Sequence, residues 1–473
     1  MANADRLTGL DASFLALEKH GAHMHVGSVL VFEGPAPDYD EFAARIERRL
    51  HLVPRYRQRL ASPPLGVARP IWVDDPHFNV GYHVRHTALP APAGEDELRR
   101  LAGRVFSQQL DRDKPLWEIW LVDSLGDGRF ALICKTHHAL VDGISGVDIL
   151  TVLLDLDPDA PDPPDPPPWS PRPLPSGGEL FARALVERVS APFELARDVL
   201  SHPDRAGADA GRAAAGLASM AAAGIAGAPA SPLNARIGPH RRYAWVESEL
   251  ATFKAIKDAL AGSINDVVLT VVAGALRAHL IRHGREPAGT ELKAMVPVSV
   301  RADAARGALG NQVAAMYAPL PVGLEDPVER FRFVHGAMAG LKESGQAVGA
   351  QAITRLADAA APTVLDQAAR LQARQRFFNL TVTNVPGPQV PLYVMGRRLE
   401  AFYPLVPLVL NTALGIAIMS YDGRIFFGLL GDYDELADLD ALAADLESAI
   451  RELAAAAGVK PRRRVKRRAA VRA

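Results

Sequence analysis

The sequence has one cysteine, Cys134, among its 473 residues. That excludes an intrachain disulfide and any multi-cysteine metal site, and it suits a reducing compartment. No sign of charge dominates, since 53 Lys and Arg stand against 54 Asp and Glu. A dedicated nucleic-acid binder needs a dominant basic field, so that class is excluded. No run reads as a membrane span. The longest uncharged stretch of interest, Ala213 to Ala235, is mostly Ala and Gly with two prolines, too weakly apolar for the roughly 20 hydrophobic residues a span requires. Met1 to Arg6 lacks the apolar core of a secretory signal, so the expected compartment is the cytoplasm. Apolar residues make up 48% and charged residues 23%, which excludes global disorder.

Proline, by contrast, is concentrated. Ten prolines fall between Pro158 and Pro175, and no helix or central strand survives that density. This stiff connector divides the chain. Residues 1–157 read as one α/β unit and 158–240 as linker plus an Ala/Gly-rich helical crossover. Residues 241–457 read as a second α/β unit, and 458–473 as a disordered basic tail. In the first unit Val26 to Glu33 reads as a strand, and Asp40 to Arg49 and Glu95 to Ser107 as amphipathic helices. Trp117 to Leu121 and Phe130 to Thr136 read as strands joined by a two-residue turn at Asp127-Gly128. Val147 to Leu156 reads as a buried helix capped by Ser145, and Glu179 to Leu200 as a helix of the crossover. In the second unit Ser263 to His283 reads as a long apolar helix. Strands are expected at Tyr243 to Glu249, Leu292 to Val300, Val313 to Leu320 and Leu380 to Thr383. A hairpin is expected around Asp422-Gly423, and a last helix over Leu439 to Ala457.

The chemistry concentrates at His137-His138-Ala-Leu-Val-Asp142-Gly143, directly after the apolar strand Phe130 to Thr136. Adjacent strand residues face opposite sides, so His137 and His138 diverge. A buried neutral imidazole makes a good general base near neutral pH. Asp142 lies where it can fold back on the loop, and Gly143 permits close backbone approach. Other readings of the same residues stay open. They are a pair of satisfied core histidines, a metal site, and a triad with Ser145. Diverging neighbours chelate poorly, and no G-x-S-x-G elbow surrounds Ser145. Cys134 sits mid-strand, where a cysteine is usually a small hydrophobe. His20, His23 and His25 have no common structural zinc spacing, so no metal is expected.

The motif H-H-x-x-x-D-G after an apolar strand resembles the coenzyme-A-dependent acyltransferase superfamily, which includes chloramphenicol acetyltransferase and peptide-synthetase condensation domains. Further motifs narrow the resemblance to the bacterial wax ester synthase/acyl-CoA:diacylglycerol acyltransferase family. They are Met24-His25-Val26-Gly27, Pro115-Leu116-Trp117-Glu118, Asn265-Asp266, Pro297-Val298-Ser299 with Arg301, Leu309-Gly310-Asn311-Gln312, and Asn384-Val385-Pro386-Gly387-Pro388. The similarity runs in order from about residue 6 to 455.

The resemblance implies a two-domain, mixed α/β fold like chloramphenicol acetyltransferase, with the active site in a tunnel at the domain interface. It implies transfer of a long-chain acyl group from acyl-CoA to diacylglycerol, or to long-chain alcohols giving wax esters. His138 would be the general base and His137 its support. Asp142 would be structural, with Arg301 as candidate partner. No cofactor is implied beyond acyl-CoA as co-substrate, and no acyl-enzyme. A carrier-protein-dependent condensation enzyme and a non-catalytic lipid-binding relative are the rival readings.

Asn265, in the first turn of the long helix, is a candidate oxyanion donor. Asp266, three residues after Ser263, fits a capping box as well as a substrate contact. Glu18 is a candidate acceptor-site residue, and Trp117 a candidate acyl-channel lining, although an aromatic on a buried strand is more often core. The tail from Lys460 carries eight basic residues and no acid. It suits an anionic membrane surface or lipid droplet, and equally a solvated end. A peripheral site on the inner face of the membrane is therefore expected.

Overall fold

The computed structural model describes residues 6–18, 21–64, 68–140, 149–161, 165–182, 186, 227–299, 313–343 and 376–460. The first half contains α1 (Gly9–Leu17), β1 (His25–Phe32), α2 (Tyr39–Arg49), β2 (Gln58–Ala61), β3 (Ile71–Asp74), α3 (Val80–His83) and β4 (Val84–Ala88). It continues with α4 (Glu95–Ser107), β5 (Trp117–Asp123), β6 (Phe130–His137) and α5 (Ile149–Leu153). The second half holds β7 (Arg241–Glu249), α6 (Leu250–Ala259), α7 (Ile264–Arg282), β8 (Leu292–Ser299), β9 (Val313–Leu320), α8 (Pro327–Glu343) and β10 (Leu380–Pro386). It ends with β11 (Tyr393–Val394), β12 (Arg397–Leu405), β13 (Leu414–Tyr421), β14 (Arg424–Asp432) and α9 (Leu439–Ala456).

Two six-stranded sheets form the frame, ordered β11-β12-β1-β6-β5-β4 and β7-β14-β13-β10-β8-β9. Both are mixed, with β4 parallel to β5 in the first and β10 parallel to β8 and β13 in the second. β6 lies between β1 and β5 and is buried on both faces, as its unbroken apolar run requires.

The split at the proline connector is not the whole organisation. The expected C-terminal unit, 241–457, sends β11 and β12 across to the first sheet, where Leu30 pairs with Phe402. The chain then returns to the second sheet as β13 and β14. The join is tight. Tyr243 Oη donates to the carbonyls of Tyr403 and Pro404 at 3.0 and 2.8 Å. Trp245 stacks on Tyr403 at 4.5 Å. A Cβ on Gly428 of β14 would lie 1.8 Å from the Pro404 carbonyl oxygen. Backbone faces backbone there, so neither side can yield cheaply. Gly428→Ala is expected to cost about 1–3 kcal/mol, read as a lower denaturation midpoint, and an unchanged midpoint rejects this account of the seam.

Other expectations meet the structure with local differences. The β5–β6 connection is wider than two residues. The Leu125 N–H bonds to the Arg129 carbonyl at 3.0 Å, and Gly128 closes the turn at φ +84. The loop is drawn out because the Gly126 N–H binds the Ala93 carbonyl at 2.9 Å. β10 runs on through Asn384 to Pro386 alongside β13, past the expected stop at Thr383. The β13–β14 turn is as expected, with Asp422 and Gly423 both at positive φ. α7 is long and apolar enough to cross a membrane, yet 67% of its most apolar window is buried inside the protein. It is a core helix packed against α8 and α9.

Candidate active site

Three motifs that lie far apart in sequence meet at the end of β6 through backbone hydrogen bonds. The His137 N–H donates to the Leu116 carbonyl at 2.9 Å, and the His138 N–H to the Met24 carbonyl at 2.7 Å. Met24 and Leu116 lead directly into β1 and β5, which flank β6, so the histidine pair is pinned from both sides.

The two rings have different surroundings. His138 is half-buried, and the Phe14 ring of α1 stacks on it at 4.0 Å. Burial pushes its pKa down to about 4, with its own carbonyl opposing and His137 adding to the fall. The ring is therefore neutral near pH 7. Its Nδ1 is sealed from solvent with no partner beyond its own residue among the described residues. A proton held there against its own carbonyl leaves Nε2 as the basic atom.

His137 points the other way and is fully buried. Its Nδ1 accepts the Ala139 N–H at 3.0 Å, which shapes the turn holding His138. Its Nε2 faces Glu18 Oε2 at 3.5 Å. Glu18, just past α1, is buried. Arg112 donates to its Oε2 from Nε at 3.0 Å and Nη2 at 2.6 Å, and His25 Nε2 lies 3.5 Å from Oε1. Burial alone raises this carboxyl's pKa, but His137, Arg112 and His25 outweigh it and hold the group well below the usual carboxylate range. Glu18 thus braces the histidine pair from behind.

Lys135, two residues before His137, is fully buried on the same face of β6. Burial lowers its ammonium pKa while Glu118, at 3.3 Å, opposes. It donates to the Val105 and Gln108 carbonyls at 3.1 and 3.0 Å, fixing the end of α4 from which the segment bearing Arg112 departs. Phe14 and Arg112 escaped the sequence reading. Each is a single residue without periodicity, and only the fold brings it to the histidines.

The remaining candidates divide. Trp117 is fully buried, stacks on His83 at 4.6 Å, and gives its indole N–H to the Tyr56 carbonyl at 2.8 Å. Its ring is part of the core. Asp266 completes the capping box with Ser263, at 2.8 and 3.2 Å, and its Oδ2 also meets His335 Nδ1 at 2.9 Å. Asn265 is half-buried at the second position of α7. Asp142, Gly143, Ser145 and Arg301 lie outside the described residues, as do Leu309 to Gln312 and residues 461–473. Cys134 is buried in mid-strand. His23 Nε2 contacts the Pro239 carbonyl at 3.2 Å.

The description "Wax ester synthase/diacylglycerol acyltransferase catalytic domain" matches residues 7–268, and "WS/DGAT C-terminal domain" matches 309–454. The chain belongs to the wax ester synthase/diacylglycerol acyltransferase family. Relatives of this acyltransferase include a probable diacylglycerol O-acyltransferase, tgs1, of Mycobacterium tuberculosis, 35% identical over 98% of each chain. A second from the same organism, tgs2, is 34% identical over 95% of this chain and 98% of its own. Among solved structures, the wax ester synthase/diacylglycerol acyltransferase of Marinobacter aquaeolei VT8 superposes with TM-score 0.68 at 30% identity, over 96% of this chain and 100% of that one. The starter condensation domain of rhizomide synthetase is similar at TM-score 0.57 and 15% identity, covering 97% of this chain and 95% of that one, a likeness of fold alone. The two-domain mixed α/β architecture expected from the motifs is thus the architecture of the family.

Proposed function

We propose that the enzyme transfers a long-chain acyl group from acyl-CoA to the free hydroxyl of diacylglycerol, releasing triacylglycerol and coenzyme A. The observation that carries this reading is His138, a neutral, partly accessible imidazole held rigidly at the end of β6. Its Nε2 takes the hydroxyl proton as the oxygen attacks the thioester carbonyl. The tetrahedral adduct collapses with cleavage of the C–S bond, and the imidazolium returns the proton to the departing thiolate. Nothing is held covalently by the protein, so neither Cys134 nor Ser145 is required. Asn265, in the first turn of α7, is the donor proposed for the oxyanion. Asp142 is proposed as a structural residue of the catalytic loop, with Arg301 as its partner. The names of the mycobacterial relatives support diacylglycerol as acceptor, and the Marinobacter enzyme's name supports long-chain alcohols beside it.

Such acceptors do not dissolve in water, so the enzyme is proposed to work from the cytoplasm on a membrane or lipid-droplet surface. The basic run from Lys460 supports an anionic surface. One assay tests both points. Thiol release from palmitoyl-CoA is expected to depend on dioleoylglycerol and to yield triacylglycerol. Removing residues 460–473 is expected to slow turnover on anionic vesicles and leave it unchanged on detergent-dispersed acceptor. Release independent of any acceptor rejects the transferase reading, and equal turnover by both forms on vesicles rejects the role of the tail.

A further inference from the structure

A cavity of about 450 Å³ lies on the N-terminal half, lined in part by Leu15, the neighbour in sequence of His138's stacking partner Phe14. That volume suits a small-molecule group. Leu15, Leu60 and Pro70 supply apolar wall, and Ser62, Arg59 and Arg112 supply polar groups. Asp113 is the acid on the lining.

The two guanidiniums are not fully used. Arg112 spends Nε and Nη2 on Glu18 and on the Leu15 carbonyl, at 2.6 to 3.0 Å, and its Nη1 has no partner among the described residues. The Arg59 side chain, on β2, has no ion-pair or hydrogen-bond partner among the described residues. Arg59 is half-buried, where a donor without a partner is costly unless something meets it, and Arg112 is exposed, so its remaining N–H groups are open to a ligand. Two guanidiniums converging on one concavity fit a phosphate, which each can bind through paired N–H groups. The cavity also adjoins the chemistry. Leu15 follows Phe14, which stacks on His138, and Arg112 grips the carboxylate that braces His137.

Of the reactants named above, acyl-CoA is the one that carries phosphates. We propose that this cavity receives the phosphate-bearing end of acyl-CoA, with Arg59 as its specificity-determining cation. This rests on the reading that acyl-CoA is the donor. Diacylglycerol, being neutral, has no use for either arginine, so the site would discriminate donor from acceptor by charge.

The test is equilibrium binding to the full-length enzyme of palmitoyl-CoA, of palmitoyl-pantetheine, which lacks the nucleotide phosphates, and of vesicles containing phosphatidate. Arg59→Glu is expected to weaken palmitoyl-CoA by about tenfold or more, with palmitoyl-pantetheine and vesicle binding unchanged. Arg59→Lys, which keeps the charge, is expected to retain most of the affinity and so separates charge from damage to the fold. Equal palmitoyl-CoA binding by wild type and Arg59→Glu overturns the proposal, as does wild type that binds palmitoyl-CoA no better than palmitoyl-pantetheine. A loss confined to vesicles overturns it too, assigning the cations to a lipid headgroup. If binding behaves as expected while dioleoylglycerol goes unacylated, the subsite stands and the acceptor reading falls.

Discussion

His138→Ala is expected to lower kcat by about 10²–10⁴-fold, the usual worth of a positioned general base, with the thermal midpoint close to wild type. The backbone bond from residue 138 to the Met24 carbonyl survives the substitution, because it uses the main-chain N–H. What is lost is the ring and its stacking on Phe14. The base form prevails above the folded pKa of about 4, so wild-type kcat/KM is expected to rise through that pH and to be flat toward neutrality. The same depression makes an acid-side stability prediction. Below about 6.5 the unfolded chain binds a proton that the folded ring refuses until about 4, so stability falls as pH drops through that window. His138→Ala removes that contribution. A folded variant that keeps wild-type turnover rejects the mechanism, whatever the stability data say.

The sequence announces the strand under these histidines plainly. Phe130 to Thr136 is apolar on alternate and intervening positions alike, which is the mark of a strand buried on both faces, and β6 is that strand. The helix Glu95 to Ser107 has the bounds its apolar spacing suggests. The Asp422-Gly423 turn follows from residues that tolerate positive φ. Partnership is what local pattern does not carry. Nothing in Arg397 to Leu405 says that it joins a strand some 370 residues earlier, because β periodicity sets which face is buried and not which neighbour completes the ladder. Arg112 and Glu18 meet across 94 positions for the same reason. The motifs therefore locate the candidate site, while the brace behind it depends on the fold.

That brace carries the second large expectation. Glu18→Gln keeps the shape of the side chain and removes its charge, leaving the Arg112 guanidinium without its counter-ion. Breaking a buried pair from one side typically costs about 3–5 kcal/mol. The loss is expected near the lower figure, because the Arg112 side chain is 42% exposed and water can take it back. It should appear as a lower urea midpoint at pH 7. The pH dependence separates this from a generic defect. The folded carboxyl's pKa is depressed, so its contribution is present above the ordinary value of 4.5 and is lost as pH falls through the folded pKa. Wild type should therefore lose stability on acidification below 4.5 more steeply than Glu18→Gln. In kinetics, a brace acting through His137 and the Ala139 N–H should show as a fall in kcat with KM for diacylglycerol held, since Glu18 is buried against the protein's own Arg112, His25 and His137. If Glu18→Gln instead raises that KM while stability at pH 7 is unchanged, the carboxylate contacts the acceptor directly, and the burial that assigns it to the protein's own histidines has been read wrongly.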